Sequence, residues 1–316
     1  MKQIIVLSLK STNIYVYMHK LIKIIREKTA KLAHNIKNDR SIKELKFYEI
    51  IHGMLVDNIK KTKREIFYAS PNIFKRQETV NKMIDRFAHL HKIRLIDFNV
   101  AASLKGLFYG EITFIEHGKT YTLHQNLIPD MNEIVEIRCR FSSVLVVEKD
   151  CMMTFIKEVF LRNNKTINFL LVTGKGYPDH NTLAFLQRLE HMNCQIYGLF
   201  DLDPFGLNIF RNYKSKICGM LRVGITSRDV FEYKIIKNEL IALTQRDCKL
   251  LTGLKNNIVD NEFSEDISFL EGLGKKMEIE IFTSYHTTFI VQYLEKKLMI
   301  SSYAEHPVCR SNGPRK

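Results

Sequence analysis

The stretch from Gln195 to Tyr213, QIYGLFDLDPFGLNIFRNY, contains the pattern that decides the fold. It begins with an apolar run as far as Phe200, continues through Asp201-Leu202-Asp203, and resumes with helical spacing from Phe205. A short apolar run without alternation is typical of a strand that is buried on both faces. A helix directly after such a strand indicates an α/β fold with a parallel sheet.

Two earlier stretches repeat this pattern. The run Val144 to Val147 ends at Glu148 and precedes a predicted helix from Met152 to Leu161. The run Ile167 to Val172 precedes a second predicted helix, from Asn181 to Met192. Strands that alternate with helices of about ten residues predict a parallel sheet covered by helices on both faces.

Acidic residues follow two of the three predicted strands. Glu148 follows the first, and Asp201 and Asp203 follow the third, while Gly174-Lys175-Gly176 follows the second. Ligands of open parallel sheets bind beyond the carboxyl ends of the strands, so these side chains are expected at one edge. Three carboxylates there predict a Mg²⁺ site, although Glu148 or Asp201 taken singly is more often a helix N-cap. The glycine segment does not match the phosphate-binding loop of nucleotide hydrolases, which disfavours that class.

The N-terminal part of the chain is organised differently. Apolar residues at helical spacing predict helices over Ser41–Lys63 and Glu78–Leu90, and Glu116-His117-Gly118 predicts the turn of a β hairpin. This order is that of a winged helix. Basic residues around the start of its second helix suit either a DNA groove or a solvated face: Lys75, Arg76, Lys82 and Arg86.

These patterns predict an α/β protein in three parts. Residues 1–40 form a basic arm or a helix, residues 41–135 a winged-helix domain, and residues 136–316 a parallel-sheet domain elaborated by C-terminal helices. The last ten residues, with two prolines and several charges, resemble a frayed tail.

Composition indicates a polyanionic partner. The 316 residues include 48 Lys and Arg against 34 Asp and Glu, a formal net charge of +14, which favours nucleic acid first and an acidic membrane second. No stretch approaches the ~20 apolar residues that span a bilayer. The six cysteines form no C-x-x-C pair, which disfavours zinc and disulfides and fits reduced thiols. We therefore expect a soluble, intracellular, nucleic-acid-binding protein.

A family resemblance begins at Arg64-Glu65-Ile66-Phe67-Tyr68, which is similar to the catalytic-tyrosine motif of the meiotic double-strand-break transesterases, eukaryotic relatives of the topoisomerase VI A subunit. Without this resemblance, the residues alone favour a Tyr68 that packs at a helix end. Arg64 lies one helical turn earlier, where a cation can favour the phenolate. Further similar segments follow in family order between about residues 41 and 298: Ser103–Leu107, Val146–Asp150, Thr173–Asp179, Asp201–Gly206, Leu243–Asp247 and Lys275–Ile279.

The resemblance implies a winged-helix domain followed by a Toprim domain. It implies that Tyr68 is the nucleophile with Arg64 as its positive neighbour, and that Glu148, Asp201 and Asp203 bind Mg²⁺. The family works in the nucleus as a homodimer on double-stranded DNA, with a topoisomerase VI B-like companion subunit. The tyrosine of one protomer reaches the metal site of the other and leaves a 5′-phosphotyrosyl link. The candidate DNA contacts are Lys75, Arg76, Lys105 and Lys175.

Two positions depart from the family pattern. Phe67 stands where many relatives have a second tyrosine, and Leu183 stands where an arginine is common. Loss of an arginine that contacts phosphate would weaken DNA binding. Three functions stay open: a meiotic cleavage enzyme, the A subunit of an ATP-hydrolysing type II topoisomerase that reseals the break, and a non-catalytic DNA-binding scaffold.

Overall fold

The structure is a computed structural model that describes residues 19–34, 36, 38–101, 103–233, 240–256 and 263–302. Its contacts divide the chain into two compact units, one ending at Ser103 and the other beginning at Leu104. Within the described ranges, no helix has both the length and the apolar character needed to cross a membrane. Five cysteines fall within these ranges, and all five are free thiols.

The N-terminal unit is helical. Its elements are α1 (residues 19–33), α2 (Asp39–Val56), β1 (Lys61–Thr62), α3 (Lys63–Tyr68), α4 (Pro71–Phe74), α5 (Gln77–His91), a 3-10 helix (Leu95–Phe98) and β2 (Val100–Ala101). β1 and β2 form a short parallel pair. The core includes Leu21 and Ile25 of α1 together with Phe47, Phe74 and Phe87. Thus residues 19–33 of the predicted arm form a packed helix, and residues 1–18 lie outside the described residues.

Helix α2 ends earlier than its apolar spacing predicts. Asn58 has a left-handed φ of 51°, and Ile59 N–H donates to the Met54 carbonyl at 2.9 Å. These two features form a Schellman-type C-cap, in which Asn is one of the tolerated residues. The expected continuation to Lys63 was therefore wrong, and the chain instead enters β1.

The C-terminal unit is built on a mixed sheet with a parallel centre. The strands are β3 (Leu107–Glu116), β4 (Lys119–Leu127), β5 (Ile134–Cys139), β6 (Ser143–Val147), β7 (Leu170–Thr173), β8 (Gln195–Leu199) and β9 (Leu221–Gly224), in the order β4-β3-β7-β6-β8-β9. The last four strands of that order are parallel, and β3 is antiparallel to β4, β5 and β7.

A helix follows each parallel strand, as predicted for β6, β7 and β8, whereas β9 and the helix after it were not predicted. These helices are α6 (Asp150–Arg162), α7 (His180–His191), α8 (Pro204–Lys214) and α9 (Ser227–Glu232). The remaining elements are β10 (Ile241–Ala242), α10 (Gln245–Asn256), α11 (Ser264–Leu273), β11 (Lys275–Lys276), a 3-10 helix (Ile279–Ser284) and α12 (Thr287–Ser302). Every residue of β7 is buried, as in a strand covered on both faces. The predicted C-terminal tail lies outside the described residues.

The hairpin predicted as the wing belongs to this sheet. β3 and β4 pair with each other, and the first residues of β3, Leu107 to Tyr109, also pair with β7. The boundary between the two compact units therefore lies after Ser103, whereas the sequence predicted a domain boundary after residue 135. A turn motif predicts that two strands pair with each other, but it does not predict which further strand they join.

Candidate active site

Three acidic side chains lie at the carboxyl ends of β6 and β8; together we call them the acidic edge (Glu148, Asp201 and Asp203). These two strands are neighbours in the sheet and run parallel, with Val147 beside Leu199. The Asp201 N–H donates to Glu148 Oε2 at 3.0 Å, which ties the first two acids together. The strand ends thus bring together residues that lie more than fifty positions apart in the chain.

The acidic edge is buried. Glu148, Asp201 and Asp203 are 7%, 3% and 6% exposed. Burial raises the pKa of Glu148 to about 8, and the charges of Asp201 and Asp203 add to the rise. Burial also raises the pKa of Asp201 to about 6, against the lowering effect of Lys149, and it raises the pKa of Asp203. Carboxylates held together away from water favour a cation in their midst.

Each aspartate of the edge has one oxygen bound to a backbone N–H. Asp201 Oδ1 accepts from Ile279 N–H at 2.8 Å, and Asp203 Oδ1 accepts from Gly206 N–H at 2.5 Å. The second contact caps helix α8, whose first residue is Pro204, a residue favoured there. Glu148 and Asp201, the acids for which the sequence offered an N-cap role, do not cap a helix: the N-cap residues of α6 and α8 are Lys149 and Asp203. Different oxygens of Asp203 serve the cap and face the acidic edge.

Two lysines contact the other oxygens of these aspartates. Lys149 Nζ lies 3.0 Å from Asp201 Oδ2, and Lys276 Nζ lies 3.7 Å from Asp203 Oδ2. Antiparallel backbone bonds between Leu202 and Met277, at 2.9 and 3.0 Å, bring the 275–280 segment to the edge. Neither lysine was predicted from the sequence to take part in the site. The only signal was their position inside segments that resemble the family, Val146–Asp150 and Lys275–Ile279.

The glycine turn after β7 adjoins Glu148. Gly176 has a φ of 82° that suits glycine, and its N–H donates to the Glu148 carbonyl at 2.8 Å. Lys105 Nζ donates to the Tyr177 carbonyl at 2.5 Å, so this candidate DNA contact also fixes the turn. Lys175 is exposed and lies 3.5 Å from Asp150 Oδ2.

The acidic edge suits Mg²⁺ by its chemistry, because hard carboxylate oxygens are the ligands this ion prefers. Among the described residues, however, no group of three or more Asp, Glu, His or Cys side chains is arranged as a formed metal site. The acids are neighbours, with Lys149 and Lys276 beside them. The ammonium groups of these two lysines carry less positive charge than the surrounding carboxylates carry negative charge, because Glu278 and Glu280 also lie here.

Tyr68 is the last residue of α3 in the N-terminal unit, and its side chain is 60% exposed. The Arg64 guanidinium carbon lies 5.8 Å from the centre of the Tyr68 ring. Thr62 and Glu65 form a reciprocal capping box at the start of this six-residue helix, while Ile66 is fully buried. The helix is thus anchored on one side and presents the phenol on the other.

Basic residues of α2, α5 and the turn before α5 line a groove of about 640 Å³ in the same unit. Lys75 and Arg76 are exposed in that turn, and Arg76 contributes to the groove. The other basic residues of the groove are Arg40, Lys43, Lys82 and Arg86. Lys82 and Arg86 were singled out in the sequence, whereas Arg40 and Lys43 were not, because they belong to a different helix.

Leu183, which stands where an arginine is common, lies on α7 and is partly buried against the core of the C-terminal unit. Its side chain therefore contributes to packing.

Comparison with known proteins gives two family models in succession along the chain. A model described as type IIB DNA topoisomerase matches residues 40–100. A model of the Toprim domain shared by Spo11 and the A subunit of topoisomerase 6 matches residues 143–298. The C-terminal unit thus contains a Toprim domain with parallel strands, over residues 143–298, as the family resemblance implied.

Similar whole proteins come from several eukaryotes. A "probable meiosis-specific protein SPO11 homolog" of Encephalitozoon cuniculi is 33% identical over 82% of this chain and 89% of its own length. The meiotic recombination protein rec12 of Schizosaccharomyces pombe is 28% identical over 79% of the chain and 75% of its own length. The A subunit of DNA topoisomerase 6 from Arabidopsis thaliana is 25% identical over 79% and 63%. The chain belongs to the family of Spo11 and the topoisomerase 6 A subunit, which confirms the resemblance.

Proposed function

We propose that this protein makes DNA double-strand breaks for meiotic recombination by Mg²⁺-dependent tyrosine transesterification. The observation that carries the proposal is the exposed phenol of Tyr68 beside Arg64, in a chain whose Toprim domain gathers three buried carboxylates. The meiotic names of its relatives favour recombination over general DNA topology.

The proposed reaction exchanges one phosphodiester bond for another. Tyr68 Oη attacks a backbone phosphorus and loses its proton, the new Tyr–O–P bond forms, and the P–O3′ bond breaks. The departing 3′ oxygen takes a proton and becomes a hydroxyl, while the 5′ phosphate stays on the tyrosine. The guanidinium group of Arg64, 5.8 Å from the centre of the Tyr68 ring, would offset the negative charge on the attacking oxygen and the phosphate. The number of ester bonds is unchanged, so cutting itself needs neither water nor ATP.

Glu148, Asp201 and Asp203 would hold the Mg²⁺ ion. When bound there, the ion supplies positive charge that offsets the negative charge of the phosphate. The chain's own contribution is the buried edge, whose hydrogen bonds from Asp201, Gly206 and Ile279 N–H hold the carboxylates in place.

The family relationship supports a proposal for the wider assembly. We infer that the protein acts in the nucleus on double-stranded DNA as a homodimer, in which the tyrosine of one protomer serves the acidic edge of the other. Its proposed DNA contacts are Lys75, Arg76, Lys105 and Lys175. The first three fall in the winged-helix domain predicted over residues 41–135, and Lys175 falls in the parallel-sheet domain predicted over residues 136–316. A topoisomerase VI B-like companion would contribute any ATP hydrolysis, so the isomerase class describes the assembly and not this chain alone.

Covalent attachment tests the proposal. The protein is incubated with DNA, Mg²⁺ and its partner, and mass spectrometry searches for a nucleotide-linked peptide that contains Tyr68. Tyr68→Phe should abolish the adduct and leave DNA binding intact, whereas Tyr48→Phe removes a partly buried hydroxyl from the same unit and should cut normally. Adducts at wild-type level in Tyr68→Phe would remove this tyrosine from the role.

A topoisomerase is the second candidate function, favoured by the similarity to the A subunit of a topoisomerase 6. The chemistry at Tyr68 would be the same. Relaxation of supercoiled DNA with an ATPase partner would identify this function, because it requires strand passage and resealing. Leu183 supports a third candidate, a non-catalytic scaffold, which would bind DNA without any Mg²⁺-dependent covalent retention.

A further inference from the structure

Lys149 lies between the acidic edge and two outer glutamates. It follows Glu148 directly and precedes the first residue of α6. Its Nζ is 3.0 Å from Asp201 Oδ2 on one side and 2.7 Å from Glu280 Oε2 on the other, with Glu278 Oε2 at 3.4 Å. One ammonium group is thus shared by a buried carboxylate and two carboxylates nearer the solvent.

The two oxygens of Asp201 are both engaged. Oδ1 accepts the Ile279 N–H at 2.8 Å, so Oδ2 is the oxygen whose partner is a side chain, that of Lys149, rather than the backbone. Lysine is a flexible point charge that can move between partners. Glu278 and Glu280 offer Lys149 a place that does not involve Asp201, because their side chains are 41% and 38% exposed, against 5% for Asp201.

We propose that Lys149 is a built-in competitor of the divalent ion. In the metal-free protein it neutralises Asp201, and when the ion binds it moves its contact to Glu278 and Glu280. This inference rests on the proposed metal role of the acidic edge. It assigns to Lys149 and Glu280 a function in setting ion affinity.

Removal of the competitor should strengthen ion binding. In Lys149→Met, Mn²⁺ is expected to bind tighter by on the order of tenfold, because Asp201 no longer has to give up an ion pair with Lys149 when the ion binds. Binding is measured on the full-length protein without DNA, from the electron paramagnetic resonance signal of free Mn²⁺ and from competition by Mg²⁺. Lys149→Arg keeps the charge and should bind nearly as the wild type. Lys296→Met removes one charge from an exposed pair with Glu232 and controls for net charge. Unchanged or weaker binding in Lys149→Met would overturn the inference.

Glu280→Gln provides a second test, which changes the outer carboxylate instead of the lysine. Loss of the outer carboxylate should hold Lys149 on Asp201 and weaken Mn²⁺ binding. The same substitution in a Lys149→Arg background should weaken it similarly, and in a Lys149→Met background much less. A double-mutant cycle separates this coupling from the simple loss of a negative charge, which would be equal in all backgrounds. Equal effects would contradict the inference.

The wild type and Asp203→Asn distinguish the two levels of proposal. If the wild type binds no Mn²⁺, or if Asp203→Asn binds it as well as the wild type, the proposed metal role of the acidic edge is wrong and the inference falls with it. If Asp203→Asn loses the ion but Lys149→Met gains no affinity, only the competitor role of Lys149 is wrong.

Discussion

Asp203 makes two contacts through different oxygens, which allows its structural and chemical roles to be separated. Oδ1 caps α8 through Gly206 N–H, and Oδ2 faces Lys276. Asparagine caps a helix about as well as aspartate, but it has no charge. The helix therefore depends on an oxygen that asparagine keeps, and the proposed ion site depends on a charge that asparagine loses.

Asp203→Asn is accordingly expected to lower Mg²⁺-dependent cleavage by on the order of 100-fold, the scale of a lost metal ligand, while the free energy of unfolding stays close to that of the wild type. Asp203→Ala should lose the cap as well and be less stable by about 1 kcal/mol. Adduct formation across a Mg²⁺ titration and urea denaturation measure the two effects. A wild-type Mg²⁺ response in Asp203→Asn would exclude this carboxylate from the site.

The sequence predicts the acids of the site but not its lysines. Glu148, Asp201 and Asp203 each follow an apolar run, so strand order alone places them at one edge. Lys276 reaches Asp203, and Lys149 reaches Glu278 and Glu280, because Leu202 pairs with Met277, a contact that no local pattern encodes. A lysine next to an acidic residue in the sequence is usually solvated. Only the strand pairing of the folded protein shows that Lys149 and Lys276 contact buried carboxylates.

At the level of elements, the start of α8 explains why a glycine stands in the segment Asp201–Gly206. A Cβ added at Gly206 would lie 2.4 Å from the Asp201 carbonyl oxygen, and it would also approach the Asp201 backbone carbon and nitrogen at 3.0 Å. Those atoms belong to the backbone that supports the acidic edge and have little freedom to move. The close approach of helix and strand end therefore requires glycine here.

Gly206→Ala should lower the free energy of unfolding by about 2 kcal/mol through overpacking, despite the better helix propensity of alanine. Gly272→Ala is the matched control, because it also lies in a helix but an added Cβ there meets nothing within 4 Å. That control should be neutral or slightly stabilising. Urea denaturation of both variants checks the expectation, and equal stability of the two would show that the backbone at Asp201 yields easily.

The order of elements in the Toprim domain could be predicted because buried strands and amphipathic helices carry local signals. The strands β6, β7 and β8 and the helices after them were predicted within a few residues. Two features escaped prediction for different reasons. The end of α2 depends on the left-handed conformation of Asn58, which the apolar spacing does not reveal. The pairing of β3 with β7 joins segments about sixty residues apart, which no turn motif specifies.

For the whole molecule, the excess of 14 positive charges predicts DNA binding that depends strongly on salt. The groove of the N-terminal unit, with Arg76 and Lys82 in its lining, is a candidate source of phosphate contacts. Replacing both residues by alanine should reduce the slope of log affinity against log salt by about 2, because each lost phosphate contact removes close to one released counterion. Binding of the Tyr68→Phe protein at several salt concentrations measures the slope, with Lys296→Ala as control. An unchanged slope would place the DNA elsewhere.

The proposed dimer, in which each tyrosine serves its partner's acidic edge, predicts how two different defects combine. A heterodimer of a Tyr68→Phe chain and an Asp203→Asn chain has one composite site in which both residues are intact, formed by Tyr68 of the second chain and the acids of the first. It should therefore nick one DNA strand, with the covalent link only on the Asp203→Asn chain. Each homodimer of either variant should be inactive. Co-expressed chains with two different tags allow the heterodimer to be purified, and the nicks are counted on a supercoiled plasmid. If Tyr68 instead served the acids of its own chain, every site would contain one defect and the plasmid would stay uncut.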